Sequence, residues 1–233
     1  MLHKTKISVC EANLKLRASG LVILTWGNVS ARDPDTGYVV IKPSGVDYDE
    51  MLPEQMVVVD LDGKVVDGTF KPSSDTPTHL ALYRAWPEVG GIAHTHSTYA
   101  TAWAQAKRPL PCYGTTHADN FRGTVPVTAD MTEEEIAGEY EHNTGEVILR
   151  TFADRSPADI PAVLVAGHGP FTWGRTAEQA VENSIVLEEV ARIAFLTEAL
   201  NPEASEIGSA LRDRHFLRKH GPGAYYGQSG ARF

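Results

Sequence analysis

Cysteine is scarce in this chain of 233 residues: Cys10 and Cys112 are the only two, and neither has another close by in sequence. That excludes a disulfide framework and argues against zinc held by paired thiolates. Long apolar runs are missing too. No segment approaches the roughly 20 apolar residues that span a bilayer, and Met1–Leu14 lacks the apolar stretch of a secretory leader. The expectation is a cytoplasmic protein with no membrane partner. Basic residues are outnumbered, 21 Lys and Arg against 30 Asp and Glu, for a net charge of -9. This balance argues against a nucleic-acid partner but leaves room for a local site that takes a phosphorylated metabolite. Neither a P-loop nor a Gly-x-Gly-x-x-Gly turn is present, so no nucleotide is indicated, and the His-Glu-x-x-His of zinc hydrolases is absent. No repeat, linker or low-complexity stretch divides the chain.

What remains is an ordinary globular composition, 42% hydrophobic and 22% charged, enough for one sizeable core. Ile7, Cys10, Leu14 and Ala18 recur at helical spacing across Lys4–Ser19, and Gly20 can end that helix. Short β-like runs follow at 21–24, 38–41 and 56–60, with turn residues at 33–37 and 62–63. A helix is predicted after 73–77, with Ser74 as its N-cap, ending near Trp86 before Pro87. A strand carrying His94 and His96 comes next, then a short Ala-rich helix from Tyr99 to Gln105.

Further on, 132–135 makes a capping box that opens one helix through Ile136, Tyr140 and Val147. Residues 162–166 read as a strand with 171–174 as its hairpin partner. A second capping box at 176–179 precedes a helix reaching about Leu200. In that helix Ala177, Val181, Ser184, Leu187, Ala191 and Ala194 form one stripe and Val186, Val190 and Ile193 an adjacent one, predicting burial on more than one side. Strands flanked by helices, with several hairpin signals, predict one α/β domain whose central sheet is mostly antiparallel.

Chemistry concentrates in Gly90–Ser97. On a strand, His94 and His96 would point the same way, and with a third imidazole they suit a zinc ion that keeps an open position. His168, set between glycines after the 162–166 strand, is the candidate third ligand. On residue chemistry alone the pair reads equally as one surface and one core histidine, and His168 as a turn residue. Asn28, Ser44 and Ser73-Ser74 lie among glycines and small residues near element ends, where N–H groups and hydroxyls can converge on a phosphate. Simple turn chemistry is the competing reading of those loops.

The stretches TWGNVSARD, VIKPSGVDYDE, KPSSDTPTH, GGIAHTHSTYATAWAQA, TTHAD, LVAGHGPFTWG, SIVLEEVA and RHFLRKHGPGAYYGQ resemble the class II aldolase and adducin-head family, in its L-ribulose-5-phosphate 4-epimerase branch. The resemblance runs from Met1 to Gln228. Gly-Asn-Val-Ser, Pro-Ser-Gly and His-Thr-His are general to the family, whereas Thr115–Asp119 and the C-terminal Arg218–Gln228 point to the epimerase branch. It implies a three-layer α/β/α catalytic domain over 1–228, with 229–233 as an added tail, in a four-fold homotetramer whose sites lie at subunit interfaces. It also implies one Zn2+ per subunit, replaceable by other divalent ions, held by His94, His96 and His168 with Asp75 beside it. Gly27, Asn28, Ser44, Gly45, Ser73 and Ser74 then match a substrate phosphate pocket, with Lys42 close by. Asp119 and Tyr226 match acid/base groups on opposite sides, and Thr116, His215 and Arg218 match residues that complete the site from a neighbouring subunit. Without the resemblance, Tyr226 in its Gly-rich tail reads as an interface anchor. One departure is visible: Ala166-Gly167 stand where close relatives can carry His-Ser, although His168 is kept.

The implied reaction is 4-epimerisation of L-ribulose 5-phosphate to D-xylulose 5-phosphate, in arabinose catabolism or another route that shares this phosphorylated pentulose. C4 is not adjacent to the C2 ketone, so its hydrogen is not acidic and direct abstraction is a poor route. Retro-aldol cleavage of C3–C4, rotation of the aldehyde and re-addition avoid that step, with zinc as the Lewis acid. The alternative is a class II sugar-phosphate aldolase that releases its two fragments. A non-enzymatic role of the adducin-head kind predicts lost ligand histidines, and all three are present.

Overall fold

A computed structural model describes residues 1–226; Gly227, Gln228 and the expected tail 229–233 lie outside the described residues. The chain opens with α1 (His3–Ala18), followed by β1 (Asn28–Arg32), β2 (Val39–Ile41), β3 (Val57–Val59), β4 (Val65–Asp67) and α2 (Thr76–Ala85). Then come β5 (Gly91–His94), α3 (Thr98–Gln105), the single turn α4 (Thr115–Ala118), α5 (Glu133–Ala137) and α6 (Tyr140–Thr151). The last elements are β6 (Ala162–Leu164), β7 (Pro170–Gly174), α7 (Ala177–Leu200) and α8 (Ser209–His220). The strands form one sheet in the order β4-β3-β2-β1-β5-β7-β6. Every neighbouring pair is antiparallel, which carries the expected sheet further than "mostly".

Side-chain alternation splits the sheet between two helical layers. Val29, Ala31, Val40, Val58 and Ala93 face α1 and the start of α7. Val39, Ile41, Val57, Val59, Ile92, Phe171 and Trp173 face α2 and α6. Beyond β7, Ala162 and Leu164 pack with α3 and the rest of α7. This is the three-layer α/β/α arrangement. Among the described residues no helix is long and apolar enough to cross a membrane.

Several local expectations need correction. Leu21–Leu24 is not a strand: Leu24 has φ +54°, and Ile23 and Leu24 are exposed while Leu21 and Val22 tuck into the core. Helix α1 forms as expected, but its buried side is Val9, Cys10, Ala12, Asn13 and Leu16, with Leu14 outward. Asn13 explains the rotated face, since its side chain exchanges hydrogen bonds with both backbone groups of Val29 and pins the helix to β1. The helix predicted from the 132–135 box breaks at Gly138 into α5 and α6, although the box itself forms in both directions. The second box forms by half: Thr176 accepts from the Gln179 N–H, while the Gln179 side chain accepts from Arg175 rather than from the cap. Along α7 the first stripe is buried throughout, but Ile193 in the second is exposed.

Candidate active site

The site grows from one row of the sheet. Register pairs Asn28 on β1 with His94 on β5, and His94 with Phe171 on β7. The His94 ring stacks on Phe171, centroids 4.1 Å apart at 17°, and its Nδ1 lies 2.9 Å from the Pro170 carbonyl. A carbonyl only accepts, so Nδ1 carries the proton and Nε2 is left with its lone pair free. Strand β5 ends at His94, so His96 follows in the loop rather than on the same strand. The two rings still converge, Nε2 to Nε2 at 3.0 Å. His168 arrives from the turn between β6 and β7, and ligand atoms of all three histidines lie within 4.8 Å of one another.

That geometry fits a divalent metal. Two imidazole nitrogens bound tetrahedrally to zinc at about 2.05 Å sit about 3.3 Å apart, close to the spacing of His94 and His96. Electrostatics agree. Burial drives the His94 imidazole down to about 3, with the Asp75 carboxylate opposing and the neighbouring histidines adding to the fall. Burial lowers His96 and His168 as well. All three are therefore held in the neutral form that ligates a metal. Burial raises the Asp75 carboxyl, but His94, His79 and the Asn28 amide outweigh it and hold it below the ordinary range. Asn28 donates from Nδ2 to Asp75 Oδ2 at 2.6 Å and to Ser73 Oγ at 3.0 Å.

A cleft of about 610 Å³ opens on these histidines. Every sequence-predicted metal and phosphate residue lines it: Gly27, Asn28, Lys42, Ser44, Gly45, Ser73, Ser74, Asp75, His94, His96 and His168. The structure adds the local reason for Gly27 and Lys42 and corrects the capping expected of Ser74. Gly27 has φ +77°, and a Cβ there would stand 2.8 Å from the His94 carbonyl oxygen, so close backbone approach is what requires glycine. Ser74 is not the cap of α2; Asp75 holds that position without a side-chain cap bond. Lys42 is buried, with Nζ 3.0 Å from the Val46 carbonyl and over the Tyr48 ring, so it braces the Pro43–Val46 loop from behind. Burial lowers its amine to about 8, against the pull of Asp47.

The two Ser-containing loops are tied together by the bridge between Pro43 and Pro72, with Ser44 N–H donating to Lys71 and Ser73 N–H to Lys42. Among the described residues the amides of Gly45 and Ser74, and the hydroxyls of Ser44 and Ser74, have no hydrogen-bond partner. Gly45, at φ +70°, has open space where a Cβ would be. These free donors are what an anion needs. Sequence reasoning missed Trp26, Tyr140 and Glu141 in the cleft wall. Tyr140 stood in the sequence only as an apolar helix position, and nothing local marks it as part of a site.

The remaining candidates, Thr116, Asp119, His215, Arg218 and Tyr226, do not line this cleft. They gather where α4 meets α8. Arg218 grips Asp119 with two bonds of 2.9 and 2.7 Å, and His215 Nδ1 lies 3.0 Å from the same carboxylate. Burial raises the Asp119 carboxyl, but Arg218 and His215 outweigh it, so the group is ionised. Tyr226 is exposed and sits over the Arg218 and Lys219 cations at 4.9 and 4.7 Å. Thr116 is exposed on α4. Within one chain, Asp119 and Tyr226 therefore share a cluster rather than flanking the cleft from opposite sides.

The fold has counterparts among solved structures. An L-fuculose 1-phosphate aldolase is 27% identical and superposes with a TM-score of 0.75, covering 92% of this chain and 97% of its own. YgbL from Klebsiella pneumoniae, for which aldolase, epimerase and decarboxylase are named as alternatives, is 26% identical with a TM-score of 0.72, over 92% of this chain and 99% of its own. The L-fuculose 1-phosphate aldolase from Glaciozyma antarctica PI12 shares the fold with a TM-score of 0.77 at 22% identity, over 93% of this chain and 81% of its own. The profile described as Class II Aldolase and Adducin N-terminal domain matches residues 7–195, a span that holds all three histidines and both Ser-containing loops. A sheet, a cleft and a histidine cluster of this kind, inside a match over most of the chain, make it a member of the class II aldolase and adducin N-terminal domain family.

Proposed function

We propose that the chain catalyses metal-assisted retro-aldol cleavage of a phosphorylated ketose. The observation that carries this reading is the placing of three neutral imidazoles and a loop pair with free donors in one cleft. His94, His96 and His168 would hold a divalent cation, zinc by preference, which when bound would supply Lewis-acid stabilisation of the charge that develops on the ketose. The chain's own groups do the rest. Pro170 fixes the His94 tautomer, Asn28 holds Asp75 beside the histidines, and Gly45 and Ser74 offer amides to the phosphate. In the cleavage the C4 hydroxyl passes its proton to an ionised carboxylate of the site and C4 becomes an aldehyde carbon. The C3–C4 bond breaks, and its electron pair passes into the C2–C3 unit, where the former ketone oxygen takes the negative charge. Holding the phosphate anchors the fragment that bears it.

The fate of the two fragments divides two readings. The solved relatives named as aldolases favour release of both. The Asp119–His215–Arg218 cluster with Tyr226 favours the second reading, 4-epimerisation of L-ribulose 5-phosphate, because it offers a carboxylate and a phenol as separate proton carriers. That reading needs a homotetramer in which one copy's cluster completes its neighbour's cleft. Incubation with L-ribulose 5-phosphate and, separately, L-fuculose 1-phosphate, each with and without chelator, decides the matter. D-Xylulose 5-phosphate as product supports epimerisation; free aldehyde with either sugar supports the aldolase. Turnover that survives chelation, or no turnover of any phosphorylated ketose by metal-loaded protein, overturns both.

A further inference from the structure

The three candidate ligands are not held alike. His94 is oriented by the backbone of β7 through the Pro170 carbonyl and by stacking on Phe171. His96 points its Nε2 at His94, and its Nδ1 has no partner among the described residues. His168 lies in the turn 165–169, whose backbone is closed by the Val165–Gly169 hydrogen bond and by Gly167 donating to Ala104. Among the described residues no backbone group of that turn hydrogen-bonds to the imidazole. The hydrogen-bonding group at its Nδ1 is the Tyr140 hydroxyl, at 3.4 Å, with the two rings inclined by 28°.

Tyr140 is in turn firmly placed. It is the first residue of α6, and its carbonyl accepts from Thr144 Oγ1 at 2.9 Å. The next residue, Glu141, accepts through its carbonyl from Thr78 on α2 at 2.5 Å. One turn on, Gly145 lets α6 lie against α2, since a Cβ there would stand 2.6 Å from the Ala81 methyl. The start of α6 is thereby fixed to the same helix whose N-terminus carries Asp75.

We propose that Tyr140 is the positioning residue for His168: its hydroxyl oxygen accepts the Nδ1 proton, fixing the tautomer that turns Nε2 toward His94 and His96. Partners of this kind orient ligating histidines, and their loss typically lowers metal affinity about 10- to 100-fold. The assignment rests on the reading of the three histidines as a metal centre, and the experiment separates the two. Zinc affinity of the full chain is measured by competition with a chromophoric chelator, for the wild type, Tyr140→Phe and His168→Ala. The visible spectrum of each cobalt-loaded protein and the melting temperature of each metal-free protein are recorded alongside. Tyr140→Phe is expected to bind zinc about 10- to 100-fold more weakly, with a shifted cobalt spectrum and an unchanged metal-free melting temperature. Wild-type affinity with a superimposable spectrum would overturn the role of Tyr140 and leave the metal centre standing. So would a loss of affinity matched by a lower metal-free melting temperature, which is a packing effect. Wild-type zinc affinity in His168→Ala would remove the metal-centre reading itself, and this assignment with it.

Discussion

The Asn28 carboxamide stands 2.6 Å from Asp75 Oδ2 and 3.0 Å from Ser73 Oγ, so one buried side chain on β1 fastens the entry of α2 to the sheet beside His94. Asn28→Ala removes both bonds and leaves the two acceptors without this donor. The expected loss is about 1–3 kcal/mol of stability, read from denaturant unfolding, with a fall in turnover that outlasts saturation by substrate. Unfolding and turnover both at wild-type values would show that the tie does not matter.

The metal content is a direct check. Purified protein is expected to hold about one divalent ion per chain, and chelation to abolish turnover. His96→Ala should lose the ion while keeping the fold, because His96 lies past the end of β5 and carries no sheet hydrogen bond. Elemental analysis with circular dichroism reads both.

Two glycines with the same backbone sign should answer differently to alanine. At Gly27 the new Cβ meets the His94 carbonyl oxygen at 2.8 Å as well as the strain of φ +77°. The combined cost is about 2–4 kcal/mol, and the displaced end of β5 should lower metal content. Gly45 has open space, so Gly45→Ala should cost only about 1–2 kcal/mol of backbone strain and act chiefly on KM. Equal losses of metal in the two variants would contradict this division.

The loop donors predict a phosphate requirement. Ser44→Ala and Ser74→Ala should each raise KM for the phosphorylated ketose, and the unphosphorylated sugar should be a far poorer substrate for the wild type. If both sugars react equally well, these loops do not bind phosphate.

His117 makes stability depend on pH away from the cleft. It is buried, with Nε2 donating to the Gly123 carbonyl at 2.7 Å and Nδ1 without a partner among the described residues. Burial drives its imidazole down to about 4, against the pull of that carbonyl and Glu206. The unfolded chain takes up the proton near the ordinary value of about 6.5, so stability is complete above that pH and falls as the pH drops toward 4. Between pH 7 and pH 5 this group accounts for a loss of about 2 kcal/mol. Other buried histidines act in the same direction, so the measurement is a difference: His117→Gln should unfold with a shallower pH dependence than the wild type over that range.

Much of the fold is written locally. Pro77 in the first turn and Pro87 just past the end bound α2, the Thr132–Glu135 box caps α5, and the small-residue stripe of α7 is its buried face. The His-x-His pair and the glycine-flanked His168 could be picked out because ligand chemistry restricts residue types. The central strand could not. Asn28–Arg32 has only Val29 and Ala31 as apolar residues, yet it forms the middle of the sheet, because distant side chains give its Ser30 hydroxyl and Asn28 amide group their hydrogen bonds. Ser30 Oγ meets His79 Nδ1 at 2.7 Å and Tyr83 at 2.8 Å, and Asn28 meets Asp75. Leu21–Leu24 shows the reverse: four apolar residues without a strand, since no neighbour offers them a ladder.

The sequence by itself determined the residue types of the site, the limits of α1, α2, α3 and α7 to within a residue or two, and the antiparallel α/β class, because caps, turns and hydrophobic period act over a few residues. Only the tertiary structure decided that Tyr140 stands behind His168, that Lys42 braces its loop from within, and that Asp119 is gripped by Arg218 away from the cleft. Each of these depends on a close approach between groups separated along the chain, and such a contact leaves no trace in the local pattern of either partner.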